Sequence, residues 1–351
     1  MTILADPPTI IVTAPYPSEP MTSTASNGWH RLRTVRALAP SRRRQPVDAP
    51  AATQRLLRQR DHLRADHAGR ALLRDAAAEL GGPGSNVDTW PLRETDPVRV
   101  DGYQLVSRLG SGGMADVFYA LAPTGRPVAV KILRAADGAN EACQREYRLA
   151  HAIGADCTAP VLGHGVSTAG AYLVTAYLPG YRCGSTLLGG STPGSLWTLG
   201  SALAGVLAAI HAKGIVHCDV KPSNLLVRGH DIRVIDFGIA RYVGEPCADD
   251  GIVHCTRSWA APEQLRAAPA TPAIDVFAWG CLLAHMASGV HPFASQSEQE
   301  WILRLQAAEP DLLGLPPDLD DLIRSTLARN PKDRPNAHEL ATICQGAPCQ
   351  Y

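Results

Sequence analysis

From residue 103 onward the apolar positions fall in short runs with strand-like spacing. Residues 103–106 lead into a glycine-rich stretch and residues 117–120 lead out of it, the pattern of a hairpin whose turn lacks bulky side chains. Residues 128–133, 161–166 and 172–176 follow as further strands. Together they predict a five-stranded antiparallel sheet. Between the third and fourth strands, residues 140–153 space their apolar positions as a helix does. Pro179-Gly180 then breaks the pattern. Beyond Ser195 the chain reads as mainly helical, with two short strands around residues 224–227 and 232–235. The most apolar run, residues 196–210, carries Gly200 and Gly205 and reads as a buried helix that is too short for a membrane span. A sheet-rich part followed by a helix-rich part is an α+β arrangement.

Upstream the pattern changes twice. Residues 1–52 are rich in Pro, Thr, Ser and Ala and poor in large apolar side chains, so they read as a disordered leader that cannot bury enough surface to offset the entropy of ordering. Arg42-Arg43-Arg44 reads as a solvated charge run. Residues 53–80 place Leu56, Leu57, Leu63, Leu72, Leu73 and Leu80 at roughly helical spacing, and Gly81-Gly82-Pro83-Gly84 ends the pattern. Residues 53–98 are therefore expected to be an amphipathic helical extension and linker, with a surface for the rest of the chain or for a protein partner.

Composition narrows the classes. The formal net charge is zero, which gives no global argument for nucleic acid or an anionic membrane. Nine cysteines occur without a C-x-x-C pair, and the first residues lack a signal-peptide pattern, so the thiols read as reduced and the protein as cytoplasmic. Cys247 and Cys255 are the pair with a conceivable redox role.

The chemistry concentrates in two runs. His217-Cys218-Asp219-Val220-Lys221-Pro222-Ser223-Asn224 sets a proton acceptor, a cation and an amide on one loop. Asp236-Phe237-Gly238 adds a second carboxylate downstream. Phosphoryl transfer asks a protein for little else, because its catalysis is mostly positioning and charge stabilisation. Upstream stand Leu109-Gly110-Ser111-Gly112-Gly113-Met114-Ala115-Asp116-Val117, Val128-Ala129-Val130-Lys131 and Arg145-Glu146-Tyr147, and downstream Ala261-Pro262-Glu263.

This ordered set resembles the eukaryotic-like (Hanks-type) serine/threonine protein kinases, especially the bacterial ones, over about residues 101–345. The resemblance implies a bilobal kinase-like fold, with an N-lobe over 99–176 and a helical C-lobe over 179–347. It implies Asp219 as base, Lys221 as the γ-phosphate cation, and Lys131 paired with Glu146 on the α- and β-phosphates. Asn224 and Asp236 would hold Mg2+, with Mn2+ as the other cation their oxygens accept. Gly110, Ser111, Gly112 and Gly113 would cover the phosphates. Thr175, Ala176, Tyr177 and Leu178 would line the rear and hinge of an adenine pocket closed by Val117, Ala129 and Leu226. Thr256 would bond the catalytic Asp and Lys and favour Ser or Thr acceptors, Glu263 would pair with Arg334, and Asp275 would anchor the catalytic loop.

The implied function is ATP-dependent phosphorylation of Ser/Thr in proteins, with autophosphorylation at leader hydroxyls such as Thr22, Ser23, Thr24 or Ser26. A pseudokinase scaffold and a small-molecule kinase of the same fold are the alternatives. Lys221, Thr256 and Glu263 argue for a protein acceptor. The chain ends soon after the last helix, so no membrane span or external sensor is expected. Cys218 departs from the pattern, since an Arg usually precedes the catalytic Asp and pairs with a phosphate on the activation loop. Residues 238–254 contain no Ser or Thr, and Tyr242 is their one hydroxyl. The two departures agree, and activity without loop phosphorylation is expected. Ala115 stands where a third glycine is common. The glycine-rich segment 180–194 is expected to differ from the short helix usual there.

Overall fold

The computed structural model describes residues 10–13, 70, 71, 73, 89–134, 138–187, 192–249, 251–312 and 314–346. Strand β1 (Ile10–Thr13) lies within the segment expected to be disordered. Four residues rich in β-branching explain the departure. The rest of the leader and most of the 53–80 extension lie outside the described residues.

The five expected strands are present as β4 (Tyr103–Ser111), β5 (Ala115–Leu121), β6 (Pro127–Leu133), β7 (Val161–Ser167) and β8 (Gly170–Ala176). Two short strands, β2 (Trp90–Pro91) and β3 (Arg99–Val100), join the β4 side, so the sheet has seven strands in the order β2-β4-β5-β6-β8-β7, with β3 also on β4. The linker expectation thus fails for its last residues. Asp96 explains why: it is buried, accepts from Arg93 N at 2.7 Å and from Arg108 Nε at 2.6 Å, and so clips this stretch to β4.

The period-two pattern sorts β4 and β5 onto two faces. Leu105, Phe118, Val128, Val130 and Val174 pack on one; Val106, Tyr119 and Leu121 pack on the other. That second face also receives Leu73, which is 1% exposed, and Arg70 donates to Arg93 O and Asp96 O. The described part of the extension is therefore docked on the sheet.

Helix α1 (Ala139–Ile153) buries Cys143, Glu146, Leu149, Ala150 and Ile153 as one stripe. Glu146 is the charged member of that stripe, and a buried carboxylate requires a partner.

The second lobe is mainly helical: α2 (Pro193–His211), α3 (Ala273–Ser288), α4 (Glu298–Ala307), α5 (Pro317–Thr326) and α6 (Ala337–Gly346). Between the lobes, β9 (Arg182–Cys183) and a 3-10 turn over Gly184–Leu187 fill the segment where departure was expected. Strand β10 (Ile215–Val216) precedes the catalytic-loop sequence, and β11 (Leu225–Arg228) and β12 (Asp231–Val234) follow it. Beyond them lie β13 (Arg241–Tyr242), β14 (Ala248–Asp249) and β15 (Ile252–Cys255).

Helix α2 is longer than expected. Its Gly194–His211 window meets the length and composition for crossing a membrane. Its buried residues, among them Leu196, Leu203, Leu207 and Ile210, belong to the main core of this lobe. Helix α3 is the axis of that core, with Phe277 and Trp279 fully enclosed and Trp279 Nε1 donating to Gly200 O at 3.0 Å.

Two features set the packing around α3. A Cβ built on Gly280 would sit 2.0 Å from Thr326 Oγ1, so α3 and α5 approach at a spacing only glycine allows. Arg334 donates to Glu263 Oε1 at 2.6 Å, to Glu263 Oε2 at 3.0 Å and to Ala273 O at 2.9 Å, a forked ion pair shielded from water.

Gly280→Ala is expected to destabilise the protein by about 1–3 kcal/mol through overpacking. Gly205→Ala, on an exposed face of α2 with no atom within 4 Å of its Cβ, is expected to be neutral or to gain up to about 1 kcal/mol of helix propensity. Arg334→Ala leaves Glu263 without its buried partner and is expected to cost about 3–5 kcal/mol. Urea unfolding of the three variants tests this order.

Candidate active site

The site forms where the sheet meets the helical lobe. Lys131 lies on β6, opposite Val117 and Leu173 in the flanking strands, which directs its side chain toward α1. Its Nζ is 2.8 and 2.7 Å from the two Glu146 oxygens and 2.6 Å from Asp236 Oδ1. Glu146 is buried and Glu141 is exposed, which decides between the two glutamates of α1. Burial opposes the Lys131 charge, but Asp236 and Glu146 outweigh it and hold its pKa above the ordinary lysine value. Burial pushes the Glu146 carboxyl up, against the pull of Lys131. For Asp236 burial acts upward too, yet the Lys131 ammonium wins and brings its pKa down to about 2. Asp236 is therefore an anion at neutral pH, and its side chain is 42% exposed, so it is open to a further cation.

Gly238 is required by this convergence. A Cβ there would lie 3.2 Å from Asp236 Oδ1, 3.2 Å from Lys131 Nζ and 3.4 Å from Glu146 Oε2, with no room between three charged groups.

The catalytic loop is held from below. Asp275, in the first turn of α3, accepts from His217 N at 2.8 Å and Cys218 N at 2.9 Å and meets His211 Nε2 at 2.8 Å. Burial raises its pKa, and the His211 hydrogen bond and charge bring the net below the ordinary carboxylate value. These bonds hold Cys218 at φ 65, a left-handed backbone costly for a side chain. Gln264 Nε2 fixes the Cys218 carbonyl at 2.7 Å. Asp219 N donates to His217 Nδ1 at 3.2 Å, so the His217 proton is on Nε2 and faces Ile235 O at 3.0 Å.

The Asp219 carboxylate is thereby presented with its two oxygens in different surroundings. Oδ2 pairs with Lys221 Nζ at 2.9 Å and accepts from Asn224 Nδ2 at 3.0 Å. Oδ1 is buried with no hydrogen-bond partner. Leaving such an acceptor unpaired costs about 1–3 kcal/mol, which a donor arriving from a bound molecule would relieve. Lys221 also donates to Thr256 Oγ1 at 2.6 Å. The expected Thr256 contact with the Asp219–Lys221 pair is thus made through Lys221.

Asn224 gives its amide nitrogen to Asp219, so its amide oxygen is the end left for a metal. With Asp236 it makes an oxygen pair of the kind Mg2+ accepts when phosphate and water supply the remaining ligands. Among the described residues no cluster of three or more His, Cys, Asp and Glu exists, so a dedicated protein cage is absent there.

The remaining candidates lie on the strands of the first lobe and on β11. Gly110 and Ser111 end β4 opposite Val117 and Asp116 of β5. Gly112 N donates to Ala115 O at 2.9 Å, and Ser111 Oγ to Asp116 Oδ1 at 2.6 Å. Arg108 holds Asp116 from behind at 2.9 Å and is itself paired with Asp96. Ala129 of β6 stands opposite Thr175 of β8, and Ala176, Tyr177 and Leu178 leave that strand toward the second lobe. Leu226 is on β11, in the separate sheet β12-β11-β9.

Sequence reasoning missed several supports: the tether of Asp116 to Ser111 and Arg108, the Gln264 bond, and the roles of His211 and His217. His217 and Gln264 each adjoin a recognised motif, and that adjacency was the available signal. Cys218 was read as a missing Arg. The structure fills the position with a buried thiol whose Sγ donates to Val216 O at 3.6 Å. The neighbouring Cys247 and burial raise the Cys218 pKa, and the Cys218 thiol lowers that of Cys247, which lies near Arg241.

Comparisons with known proteins agree with the geometry. The profile of the family described as "Protein kinase domain" matches residues 103–343. The probable serine/threonine-protein kinase PkwA of Thermomonospora curvata is 39% identical over 257 residues, covering 71% of this chain and 35% of that protein. The serine/threonine-protein kinase AfsK of Streptomyces coelicolor is 34% identical over 257 residues, covering 71% and 32%. The serine/threonine-protein kinase PknL of Mycobacterium bovis is 31% identical over 246 residues, covering 66% and 62%. The chain thus matches about a third of the length of the first two. With its matched region spanning most of the sequence and both lobes, the chain belongs to the protein kinase family.

Proposed function

We propose that this chain is an ATP-dependent serine/threonine protein kinase whose activation segment needs no phosphate. The observation that carries the catalytic part is Asp219: one oxygen is locked by Lys221 and Asn224, and the other is buried and free to accept. An acceptor hydroxyl donating to Oδ1 would be oriented for attack and would lose its proton there late in transfer. Lys221 stands beside it to meet negative charge on the transferred group. Lys131, braced by Glu146, serves the other phosphates. The glycine stretch offers backbone N–H groups, and residues 175–178 with Val117, Ala129 and Leu226 take the adenine. Asn224 and Asp236 would hold Mg2+, or Mn2+, which when bound neutralises phosphate charge. The protein-acceptor assignment is supported by Thr256 beside Lys221, and the relatives' names include Ser/Thr protein kinases.

The regulatory part rests on the segment itself. Arg145 of α1 pairs with Glu245 and donates to Ala240 O at 3.3 Å, and Glu245 also accepts from Tyr242 N at 2.9 Å. Arg241 pairs with Asp249 and donates to Pro246 O at 3.1 Å. Carboxylates encoded in the chain thus do the tying that a phosphate would do, and they tie the segment to the helix that carries Glu146. Leader hydroxyls such as Thr22, Ser23, Thr24 and Ser26 are the autophosphorylation sites we propose. The eight described free thiols suit a reducing compartment, and the burial of α2 in the lobe core suits a protein without a span, so we place it in the cytoplasm.

Transfer of labelled γ-phosphate from Mg-ATP to a generic basic protein is expected on Ser or Thr. It should fall about 10²–10⁴-fold in Asp219→Asn and stop when the metal is chelated. Retained ATP binding with no transfer to any protein would count against the reading. Phosphosite mapping is expected to find full activity without phosphate in residues 239–255. Arg145→Ala, which cuts a half-exposed pair of about 0.2–1 kcal/mol, is expected to lower kcat no more than about fivefold.

A further inference from the structure

Strand β1 pairs antiparallel with β15, Ile10 opposite Cys255 and Thr13 opposite Ile252. Strand β15 is the middle of three strands, with β14 on one edge and β1 on the other. The residue after β15 is Thr256, which accepts from Lys221, which in turn pairs with Asp219. The edge that β1 covers therefore runs directly to the proposed proton acceptor, and Ile10 is the end of β1 nearest to it.

A strand edge offers backbone N–H and C=O groups that any extended segment can take, with little demand on its side chains. A protein acceptor whose hydroxyl reaches Asp219, and whose adjoining residues run along β15, would need the same groups. Two strands cannot pair with one edge at once. We propose that residues Ile10–Thr13 are a built-in occupant of the acceptor edge, so that this segment competes with protein substrates for β15. The inference rests on the kinase reading for the identity of the competitor; the occupancy itself does not.

The expected strength follows from size. Four residues added to a short ribbon are marginal in water. Tethering in the same chain supplies an effective concentration in roughly the millimolar range. The occupant is thus a displaceable competitor and not a permanent block.

The test compares the full chain with an Ile11→Pro/Val12→Pro variant, whose adjacent prolines remove whichever of the two N–H groups faces β15, each in wild-type and Asp219→Asn backgrounds. Amide hydrogen exchange at Ile252–Cys255 is expected to be at least about tenfold faster in the proline variant in both backgrounds; unchanged exchange overturns the occupancy. A fluorescent peptide of residues 7–16 is expected to bind the proline variant about two- to tenfold more tightly than the full chain; equal affinity overturns competition for the edge. With a basic protein as acceptor, KM is expected to fall by about the same factor at unchanged kcat, and the unlabelled peptide should restore it competitively. Faster exchange with unchanged KM overturns the competition while keeping the strand. The exchange and peptide arms need no phosphoryl transfer, so a chain without kinase activity would fail the transfer assay and still report on the strand.

Discussion

Asp275 has no solvent exposure, and its carboxylate is bound by two consecutive backbone amides and a histidine. A charge in that position is affordable only because every lone pair in use has a donor and the first turn of α3 adds its dipole. What it holds in return is a backbone that would not stay there unaided. Cys218 at φ 65 turns the chain so that Asp219 faces the cleft while His217 faces Ile235. The second strained residue, Asp236 at φ 69, is linked to the same frame, since His217 bonds the carbonyl of the residue just before it. Both acidic groups of the site are thus aimed by one buried carboxylate and one neutral imidazole. Asp275 touches no substrate; it is a positioning residue.

The upper lobe solves a related problem with the opposite means. There the buried anion, Glu146, sits on α1 against the sheet. Its partner, Lys131, is shared with Asp236, so three elements are joined by one ammonium. Burial works against the charge on Lys131 and Glu146, and the Lys131 ammonium draws the more exposed Asp236 carboxyl well down. A displacement of α1 would leave Glu146 unpaired in an apolar seam. The Arg145–Glu245 pair matters for that reason: it links the neighbouring residue on α1 to the activation segment. A half-exposed pair of this kind contributes little to stability.

Much of this was legible in the sequence. The strand and helix periodicities located all five main strands and α1; of the residues the resemblance named, Lys131 contacts Glu146 and Asp236, and Asn224 contacts Asp219. What was not legible came from contacts between residues distant in sequence. Asp96 reads as a linker residue until Arg108 is seen beside it. Leu73 reads as one leucine of a possible partner face until the back of the sheet receives it. Cys218 reads as a loss until Cys247 is found against it. The strand at Ile10–Thr13 carried its own signal in Ile-Ile-Val-Thr, but the surrounding Pro- and Thr-rich composition outvoted four residues. A window average cannot register a segment that is ordered by one partner edge.

That edge also belongs to the set of contacts that hold the activation segment in this structure. A phosphate would supply one strong anion and a few charge-assisted hydrogen bonds at a single point. Here the load is spread. Glu245 and Asp249 supply fixed anions, β13 pairs with β10, β14 pairs with β15, and the Cys218–Cys247 contact ties the segment to the catalytic loop. Each link is weak, so none acts as a switch alone. Regulation by occupancy of the β15 edge remains open, because that edge leads to Thr256 and is covered by a strand short enough to leave.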